Sequence, residues 1–463
     1  MPLEANAYVT NVPYVRTFIP EVAPAWLDHV ALVSGFAPPS RDRKFSWCDL
    51  GCGQGLTATI LAATHPSGRF CGIDFMAAHM ENARNFAAEC EIENVEFHAT
   101  DFSAAAEADF GGFDYIVSHG VYSWVNEQRQ NSLRRFIDRH LKPGGLVYVS
   151  YNAIPGRAAD LPFQRLVRAL GRTFSGDSAI RCAAAVDVAL KLIKLKAPAL
   201  LSSPMAMKQK EHPSESQLAY LSHELMLESW EPLCVTDVRA AMRGIGLLPA
   251  GSATLVDNYD SFVLGEAARG TLAAVADLDT RELVRDFLID QFFRRDVFIR
   301  PGRALDENER RSQLLAACFA LTRPVNSIKY MMQTTAGELQ YDNTFARKIV
   351  AALASGPRPL ADICTEFALA PQDVLANALI LSAAGSLRPV ERSPIPIRNL
   401  NEAIRRRLGG PEEIRFLALP YGTALPIHDG LLPLTKGSEP MDEATRREWR
   451  DFLTVHGIDP GID

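Results

Sequence analysis

Residues 47–57 read Trp47-Cys48-Asp49-Leu50-Gly51-Cys52-Gly53-Gln54-Gly55-Leu56-Thr57. An apolar run that opens at Phe45 predicts a short buried strand, which ends in an acidic residue and three glycines at every second position. A helical pattern begins directly after the last glycine. The glycines allow a tight turn and a close approach to a ligand, while the helix N-terminus presents free N–H groups. Strand, glycine turn and helix together predict a nucleotide-binding unit of an open α/β sheet.

The details of this turn favour a ligand that carries a cation over a dinucleotide. The dinucleotide fingerprint Gly-x-Gly-x-x-Gly requires a third glycine where this chain has Leu56. A pyrophosphate would also gain nothing from Asp49, which stands two residues before the first glycine. A carboxylate at that position suits an ammonium group.

Two further strands end in acidic residues. The strand expected at Arg69–Phe75 ends in Gly72-Ile73-Asp74-Phe75, and Asp74 follows Asp49 by 25 residues. That spacing is close to the offset of roughly 20 residues at which an acidic residue binds a ribose diol. The strand from Val95 ends in the pair Asp101-Phe102. Because strands and helices alternate from residue 45 to residue 152, the sequence predicts a doubly wound, mostly parallel sheet with these residues at its carboxyl edge.

These motifs resemble those of class I S-adenosylmethionine (SAM) methyltransferases. Residues 49–55 are similar to the first motif of that family, Asp/Glu-x-Gly-x-Gly-x-Gly, and residues 142–145 resemble its Lys-Pro-Gly-Gly turn before the fifth strand. The resemblance implies SAM as the cofactor and methyl transfer to a nucleophile as the reaction. It implies the following cofactor-binding residues: Asp49 for the methionine amino group, the turn at Gly51, Cys52 and Gly53 for close backbone approach, Asp74 with Phe75 for the ribose, and Asp101 with Phe102 beside adenine.

The loop after the fourth strand, residues 118–125, would face the transferable methyl group. We expect Ser118 and His119 to contact the cofactor, although a structural hydrogen bond is the favoured alternative for His119. Aromatic faces attract a cation, so Tyr122 and Trp124 could form a wall for the sulfonium. Packing of both rings under the next helix is the alternative. The Asn/Asp-Pro-Pro-Tyr motif of enzymes that methylate amino groups of bases is absent, which counts against a nucleic-acid acceptor.

Three other places offer candidate residues. Tyr151 and Asn152 end the fifth strand and either face the substrate or belong to a turn. Tyr14 in the N-terminal segment is a candidate lid residue over the cofactor, the alternative being a segment that only packs on the sheet. His223-Glu224 begins like the zinc motif His-Glu-x-x-His, but Leu227 replaces the second histidine, so no metal site is predicted. A hydrogen-bonded His-Glu pair that holds the cap against the sheet is predicted instead.

A narrower resemblance joins three of these stretches. Residues 119–125, then Tyr151-Asn152 with Pro155-Gly156, and then residues 220–224 resemble a bacterial group that joins a class I methyltransferase to a methyltransferase regulatory domain. Some members of that group are protein-lysine methyltransferases, which implies a protein side-chain amine as the acceptor. Two alternatives remain open: a small-molecule methyltransferase, and a SAM-binding regulatory or interaction protein without turnover.

We therefore predict an α/β protein with a doubly wound, Rossmann-like class I methyltransferase sheet, an inserted helical cap and a C-terminal α+β domain. Three helices and a strand between residues 345 and 390 are typical of a winged helix. Its third helix offers almost no polar or basic residue for bases, so protein interaction or dimerisation is favoured over DNA binding. The predicted units are an N-terminal helical lid segment (1–44), the SAM-binding domain (45–156 and 235–265), the cap (157–234) and a regulatory or interaction domain (266–463).

Composition agrees with an ordinary globular chain. With 463 residues, two or three domains are expected, and a net charge of -7 argues against a nucleic-acid footprint over the whole surface. The eight cysteines follow no repeating pattern, which favours a reduced, cytoplasmic protein over a disulfide framework. No secretory pattern and no apolar stretch of roughly 20 residues is visible, so we expect no membrane span. The expected partners are a protein or small-molecule methyl acceptor, and a homodimer is compatible with the sequence.

Overall fold

The computed structural model describes residues 8–41, 44–209, 215–334, 337–410, 413–427 and 442–459. At its centre is one seven-stranded sheet. Its strands are Ser46–Leu50 (β1), Arg69–Asp74 (β2), Val95–Ala99 (β3), Phe113–Ser118 (β4), Leu141–Asn152 (β5), Leu248–Ser252 (β6) and Phe293–Ile299 (β7). They lie in the order β3-β2-β1-β4-β5-β7-β6, with β1 to β5 parallel and β7 antiparallel to both of its neighbours. The order reverses beside β1, and a ligand crevice is expected at such a switch point.

Helices cover both faces of this sheet and fill the connection between β5 and β6. Those that precede β5 are Pro24–Val33 (α1), Leu56–Thr64 (α2), Ala77–Glu89 (α3), Phe102–Glu107 (α4) and Glu127–His140 (α5). Those between β5 and β6 are Leu161–Gly171 (α6), Ser178–Lys194 (α7), Pro198–Leu201 (α8), Pro204–Lys208 (α9), Glu215–Leu225 (α10) and Val235–Arg243 (α11). Those between β6 and β7 are Asp260–Val263 (α12), Glu266–Ala273 (α13) and Leu278–Ile289 (α14). Within the described ranges, none of these helices has the length and apolar character that crossing a lipid bilayer requires.

The glycine turn brings α2 close to the sheet. Gly55 precedes α2 with φ 70°, a left-handed conformation that L side chains rarely adopt. A Cβ atom at this position would lie 2.5 Å from Cε1 of Phe97 and 2.8 Å from Cβ of Ala83. The last glycine of the predicted motif is therefore required by packing as well as by backbone conformation.

The helical insertion leaves and rejoins the sheet at one point. The N–H of Leu233 donates to the carbonyl of Asn152 (2.9 Å), and the N–H of Ile154 donates to the carbonyl of Leu233 (3.1 Å). Helices α6 to α10 form a core of their own, into which Val9 and Val12 of the N-terminal segment also pack. The insertion is therefore a compact cap, and the N-terminal segment connects this cap to the rest of the molecule.

The position of β7 corrects one predicted boundary. The sequence analysis ended the SAM-binding domain at residue 265, which placed residues 294–299 in the unit that begins at residue 266. In the structure β7 pairs along β5 from Leu146 to Asn152, and Val297, Phe298 and Ile299 are buried. Strand β7 lies between β5 and β6 and completes the sheet. The sheet therefore extends in sequence to Ile299. The rest of the division into domains stays a prediction.

The C-terminal part has a core of its own, and Leu400, Ala403 and Ile404 in it join the core of the central sheet instead. Its elements are Glu307–Ala316 (α15), Cys318–Leu321 (β8), Met331–Thr334 (β9), Gly337–Gln340 (β10), Thr344–Leu353 (α16), Arg358–Pro359 (β11), Leu360–Phe367 (α17), Pro371–Ala383 (α18), Leu387–Val390 (β12), Arg398–Arg407 (α19), Phe416–Leu419 (β13), Thr423–Pro426 (β14) and Glu443–Val455 (α20). Helices α16 to α18 and strand β12 lie where the sequence predicts them, and β11 and β12 flank β8 in a small antiparallel sheet. The winged-helix interpretation stays a prediction. Of the predicted 266–463 unit, residues 335–336, 411–412, 428–441 and 460–463 lie outside the described ranges.

Candidate active site

Two adjoining cavities open at the carboxyl edge of the sheet, on either side of the glycine turn. They hold about 900 and 1180 Å³ of empty space, including the solvent at their mouths. The first is bordered by the ends of β2 and β3, and the second by β1, the end of β5 and the cap. Predicted site residues that line only the first cavity are Asp74, Phe75, Asp101 and Phe102. Those that line only the second are Asp49, Cys52 and Asn152. Those that line both are Tyr14, Gly51, Gly53, His119 and Trp124.

The two acidic residues at the strand ends differ in how their oxygens are satisfied. Both oxygens of Asp74 accept backbone N–H groups, from Gly53 (3.0 Å) and Met76 (2.9 Å). Oδ1 of Asp49 is buried and has no partner among the described residues. Burial raises the pKa of Asp49 to about 8, with the nearby Asp74 carboxylate adding to the shift, and burial raises the pKa of Asp74 to about 6. A buried carboxylate with a free oxygen is stabilised by a cationic ligand, which is what the SAM ammonium group would provide.

Asp101 combines two tasks at the far end of the first cavity. Its Oδ1 accepts the N–H groups of Ser103 (2.8 Å) and Ala104 (2.9 Å), which makes it the N-cap of α4. This bond explains a helix that the sequence analysis did not predict. The described contacts of the helix cap use Oδ1 alone, and Asp101 lines the cavity together with Phe102.

Aromatic rings and one carboxylate meet in the second cavity. The ring centroid of Tyr14 lies 6.0 Å from that of Trp124 and 6.5 Å from that of Tyr220. Beside them Glu224 accepts hydrogen bonds from Nε1 of Trp230 (2.8 Å) and Nδ2 of Asn152 (3.3 Å). Burial raises the pKa of Glu224, although the hydrogen bond from Trp230, the positive charge of Arg157 and the hydrogen bonds with Asn152 and Tyr220 act in the opposite direction. Three aromatic faces and a buried carboxylate form an environment that favours an ammonium group.

The N-terminal segment is held over both cavities by the glycine turn and its helix. Gln54 donates to the carbonyl of Tyr14 and accepts from Nε of Arg16 (3.0 Å). Oγ1 of Thr57 accepts the N–H of Ile19 (3.1 Å). These bonds place Tyr14 between the cavities, which agrees with the lid interpretation, while α1 packs against β6, β7 and β12 as the alternative predicted.

His119 is held by hydrogen bonds at the border of the two cavities. Its Nδ1 lies 2.8 Å from the hydroxyl of Tyr148 and 3.3 Å from Oγ of Ser150. Burial, together with the charge of Arg295, lowers the pKa of His119 to about 3. The neutral ring is therefore a weak base, and its described contacts fit the structural alternative better than a catalytic one.

Three predicted site residues do not line either cavity. The Tyr151 hydroxyl donates to Oδ2 of Asp296 (2.6 Å), because side chains alternate along a strand and Asn152 takes the cavity side. Tyr122 is only 2 % exposed, and its hydroxyl bonds Arg134 under α5, the packing alternative. Oγ of Ser118 donates to the carbonyl of Leu50 (3.0 Å), which ties β4 to β1. The expected substrate or cofactor contacts of these three side chains are therefore corrected to structural ones.

The predicted His223-Glu224 pair is also corrected. The two side chains do not bond each other, since neighbours on a helix point about 100° apart. Nε2 of His223 lies 2.8 Å from the carbonyl of Val12, while Glu224 bonds Asn152 at the end of β5. Each residue therefore fixes the cap separately, one to the N-terminal segment and one to the sheet.

The sequence analysis gave no role in the site to several cavity residues. Gln54 lies within the quoted stretch but was treated only as a turn residue. Arg16, Arg157 and Phe293 are distant in sequence, and no local pattern marks them as lining the second cavity. Arg129 and His79 line the first cavity. Only the tertiary structure brings these residues together.

Comparisons with known sequences agree with this geometry. Residues 41–189 match a family model described as a methyltransferase domain, and residues 217–300 match one described as a predicted methyltransferase regulatory domain. The uncharacterized protein sll1526 of Synechocystis sp. is 31% identical over 443 residues, which cover 93% of this chain and 88% of that protein. A trans-aconitate 2-methyltransferase of Azoarcus sp. is 32% identical over 120 residues, which cover 26% of this chain and 42% of that enzyme.

A solved structure shares the fold over nearly the whole chain. PKMT2 from Rickettsia typhi in complex with AdoHcy superposes with a TM-score of 0.67 at 20% identity, covering 96% of this chain and 92% of that one. Seven strands in the observed order, the two cavities at their carboxyl edge and the sequence matches agree on one fold and on SAM as the cofactor. The predicted sheet, cofactor and enzyme class are thus confirmed, and the chain belongs to the class I SAM-dependent methyltransferases that carry a methyltransferase regulatory domain.

Proposed function

We propose that this methyltransferase transfers the methyl group of SAM to the side-chain amine of a lysine in a polypeptide. The observation that carries the proposal is the second cavity, which is lined by the rings of Tyr14, Trp124 and Tyr220 together with the carboxylate of Glu224. A lysine side chain combines a long apolar stem with a compact cation, and this lining offers a partner to both parts. The resemblance to bacterial protein-lysine methyltransferases and the shared fold of PKMT2 support the same acceptor.

In this proposal the two cavities divide one cofactor between them. Asp49 binds the methionine amino group in the second cavity, where its free Oδ1 lies. Asp74 binds the ribose, and Asp101 and Phe102 flank adenine in the first cavity. The turn at residues 51–53 borders both cavities. SAM supplies an electrophilic methyl group, and the contribution of the chain is to position the acceptor and to exclude water.

The acceptor amine must reach the site as a free base. An unperturbed lysine has a pKa of about 10.4, and burial among apolar groups lowers it. Glu224 first attracts the ammonium form. Because burial raises the pKa of this carboxyl group, Glu224 is also suited to receive the proton that the amine releases. In this scheme the rings of Tyr14, Trp124 and Tyr220 would hold the amine in the second cavity, beside the cofactor site.

Replacement of Asp74 by Ala tests the first cavity. We expect Asp74→Ala to weaken SAM binding by about 1.5–3 kcal/mol, the range for hydrogen bonds to a charged group. Isothermal titration calorimetry measures this change, and Asp138→Ala, on the exposed face of α5, is the matched control. Because Asp74 also binds the glycine turn, thermal unfolding of the unliganded variant must show a folded protein. An unchanged affinity would remove Asp74 from the cofactor site.

A second candidate function is methylation of a small carboxylate metabolite. Two arginines, Arg16 and Arg157, line the second cavity together with the acidic residues Asp49 and Glu224. Nη1 of Arg157 binds Asp160 (3.1 Å), while its Nε is buried with no partner in the described part of the chain. A guanidinium with a free donor suits a carboxylate, and a relative of part of this chain is a trans-aconitate 2-methyltransferase.

One labelling experiment separates these candidates. The purified protein is incubated with methyl-labelled SAM and with separated protein and metabolite fractions of a lysate. We expect label in the protein fraction, and acid hydrolysis should place it on methylated lysine. Label in small molecules would support the second candidate instead. Retained SAM binding without label in either fraction would indicate a regulatory protein that has lost turnover.

A further inference from the structure

A third cavity lies on the outer side of the cap, next to the first cavity. It is formed by α6, the beginning of α7, the residues that follow α10 and the start of the described N-terminal segment. Its empty space is about 1060 Å³, including the solvent at its mouth. We call it the arginine pocket because three arginines, Arg168, Arg172 and Arg181, contribute to its lining.

The charge of this pocket is opposite to that of the whole chain. Among the described residues that line it, Glu228 is the one acidic residue, whereas the chain carries a net charge of -7. Glu228 forms an ion pair with Arg172, so it offsets one of the three positive charges. A local excess of positive charge on an acidic protein attracts an anionic partner to one place.

The contacts made by the described residues leave donors of the three guanidinium groups unused. Nη1 of Arg168 donates to the carbonyl of Glu228 (2.8 Å), and Nη2 of Arg181 donates to Oγ of Ser178 (3.1 Å). Nε of Arg181 is buried and has no acceptor among the described residues. Because each guanidinium carries five N–H donors in a planar fork, these contacts leave the groups able to bind a carboxylate through two parallel bonds.

A thin wall separates the arginine pocket from the first cavity. Tyr8 and Val9 line both spaces, so the wall is one residue thick at this point. Arg129 lines the first cavity, and its guanidinium lies 4.9 Å from the ring centroid of Tyr8. A fourth positive charge therefore lies next to the wall, on the side of the first cavity. The acceptor lysine itself is placed in the second cavity, which Glu224 lines, and Glu228, four residues further along the cap, lines the arginine pocket. A polypeptide whose lysine enters the second cavity and whose flanking residues cross the cap would meet the arginines.

We propose that the arginine pocket binds an aspartate or glutamate side chain of the polypeptide acceptor, and so selects lysines that lie near acidic residues. The inference rests on the proposed lysine acceptor. It adds a second recognised feature of the substrate, an acidic side chain that does not bind in the second cavity. An extended chain advances about 3.3–3.6 Å per residue, so the acidic side chain lies at a fixed number of residues from the lysine. Arginine suits this task better than lysine because its planar fork matches the carboxylate.

Peptides with a single lysine test the proposal. A Glu-Glu pair is moved through the eight positions on each side of the lysine, and each peptide is compared with its Gln-Gln counterpart. We expect one narrow range of positions at which the acidic pair lowers KM about fivefold to tenfold, while kcat changes little. The double variant Arg168→Gln/Arg181→Gln should remove the difference between acidic and neutral peptides. The control is Arg165→Gln, an exposed residue of α6 outside the pocket, which should keep that difference.

Binding without turnover keeps this inference separate from the proposed acceptor. A fluorescent acidic peptide whose lysine is replaced by alanine should bind the wild type in anisotropy measurements, and binding should fall with added salt. The double variant should bind it at least fivefold more weakly, an expectation of the same order as a partly exposed ion pair. Equal KM values for acidic and neutral peptides at every position would overturn the inference. It would also be overturned if citrate, at the same concentration as the peptide, displaced the peptide completely, because the pocket would then be a site for small anions. Peptide binding without methylation of any peptide would reject the lysine acceptor and leave the acidic subsite intact.

Discussion

Replacement of Asp49 by Asn is expected to weaken SAM binding by at least about 1.5–3 kcal/mol, which is a loss of roughly 10-fold to 150-fold in affinity. The carboxylate is buried, one of its oxygens is free, and an ammonium group is the partner that would stabilise its charge. Asparagine keeps the shape of the side chain and removes the charge. Calorimetry measures the change, with Asp138→Asn as the control because its side chain is 55% exposed on α5. Unchanged affinity would show that the ammonium group binds elsewhere.

The same substitution should alter the pH dependence of stability. The pKa of Asp49 is about 8 in the folded, unliganded protein, against about 3.9 in an unfolded chain. Between these values the folded state holds a proton that the unfolded state has lost, so the free energy of unfolding falls as pH rises from about 4 to 8. Asp49→Asn removes this decline, and each unit of the raised pKa is worth about 1.4 kcal/mol. Thermal unfolding should therefore show that the stability of the variant relative to the wild type is higher at pH 8 than at pH 5.5.

Proton release provides an independent measurement of Asp49. At pH 7 the free enzyme holds a proton on Asp49 that the cation of the bound cofactor would displace. Calorimetry in two buffers of different ionisation enthalpy should then detect release of close to one proton per SAM bound. Asp49→Asn should release none from this position. Equal proton release by both proteins would contradict the assignment even if the affinity changed.

Replacement of Glu224 by Gln should separate acceptor binding from cofactor binding. We expect kcat/KM for a lysine peptide to fall about 10-fold to 100-fold, the loss of one charge-assisted contact to the amine, while SAM affinity stays within twofold. Glutamine is nearly the same size, and its carbonyl oxygen can still accept from Trp230 and Asn152 as Oε1 of Glu224 does. The fold should therefore survive the change.

The matched control for this prediction is Glu231→Gln, because Glu231 follows the same helix but its side chain is 71% exposed. Its activity should equal that of the wild type. If Glu224→Gln methylates the peptide at the normal rate with normal cofactor affinity, the carboxylate does not contact the acceptor. The second cavity would then hold another kind of substrate.

The sheet and the cofactor edge could be predicted from the sequence because their signals are local. A glycine turn between a buried strand and a helix has few structural alternatives, and an acidic residue at the end of a buried strand marks the edge directly. Asp49 and Asp74 accordingly line the cavities where they were expected. The place of β7 was harder, since its apolar pattern predicts a strand but does not say which neighbours it pairs with.

The acceptor side depended on contacts that no local pattern contains. Asn152 and Glu224 are 72 residues apart and meet only because the cap folds back on the sheet. Tyr151 and Asn152 were predicted together, yet the alternation of side chains along a strand allows only one of two neighbours to face the cavity. The aromatic ring of Tyr122 could contact a sulfonium, but the same residue type is equally suited to a buried position under α5, where its hydroxyl bonds Arg134.

The pairing of Leu233 with both Asn152 and Ile154 has an evolutionary consequence. Since the cap departs from the sheet and returns to it at neighbouring backbone positions, its length and sequence can vary while the strand order stays the same. A related chain with a different cap would therefore replace one contiguous segment and keep the same central sheet. The segment around Val9 and Val12 would have to change together with the cap, because both residues belong to the core of the cap.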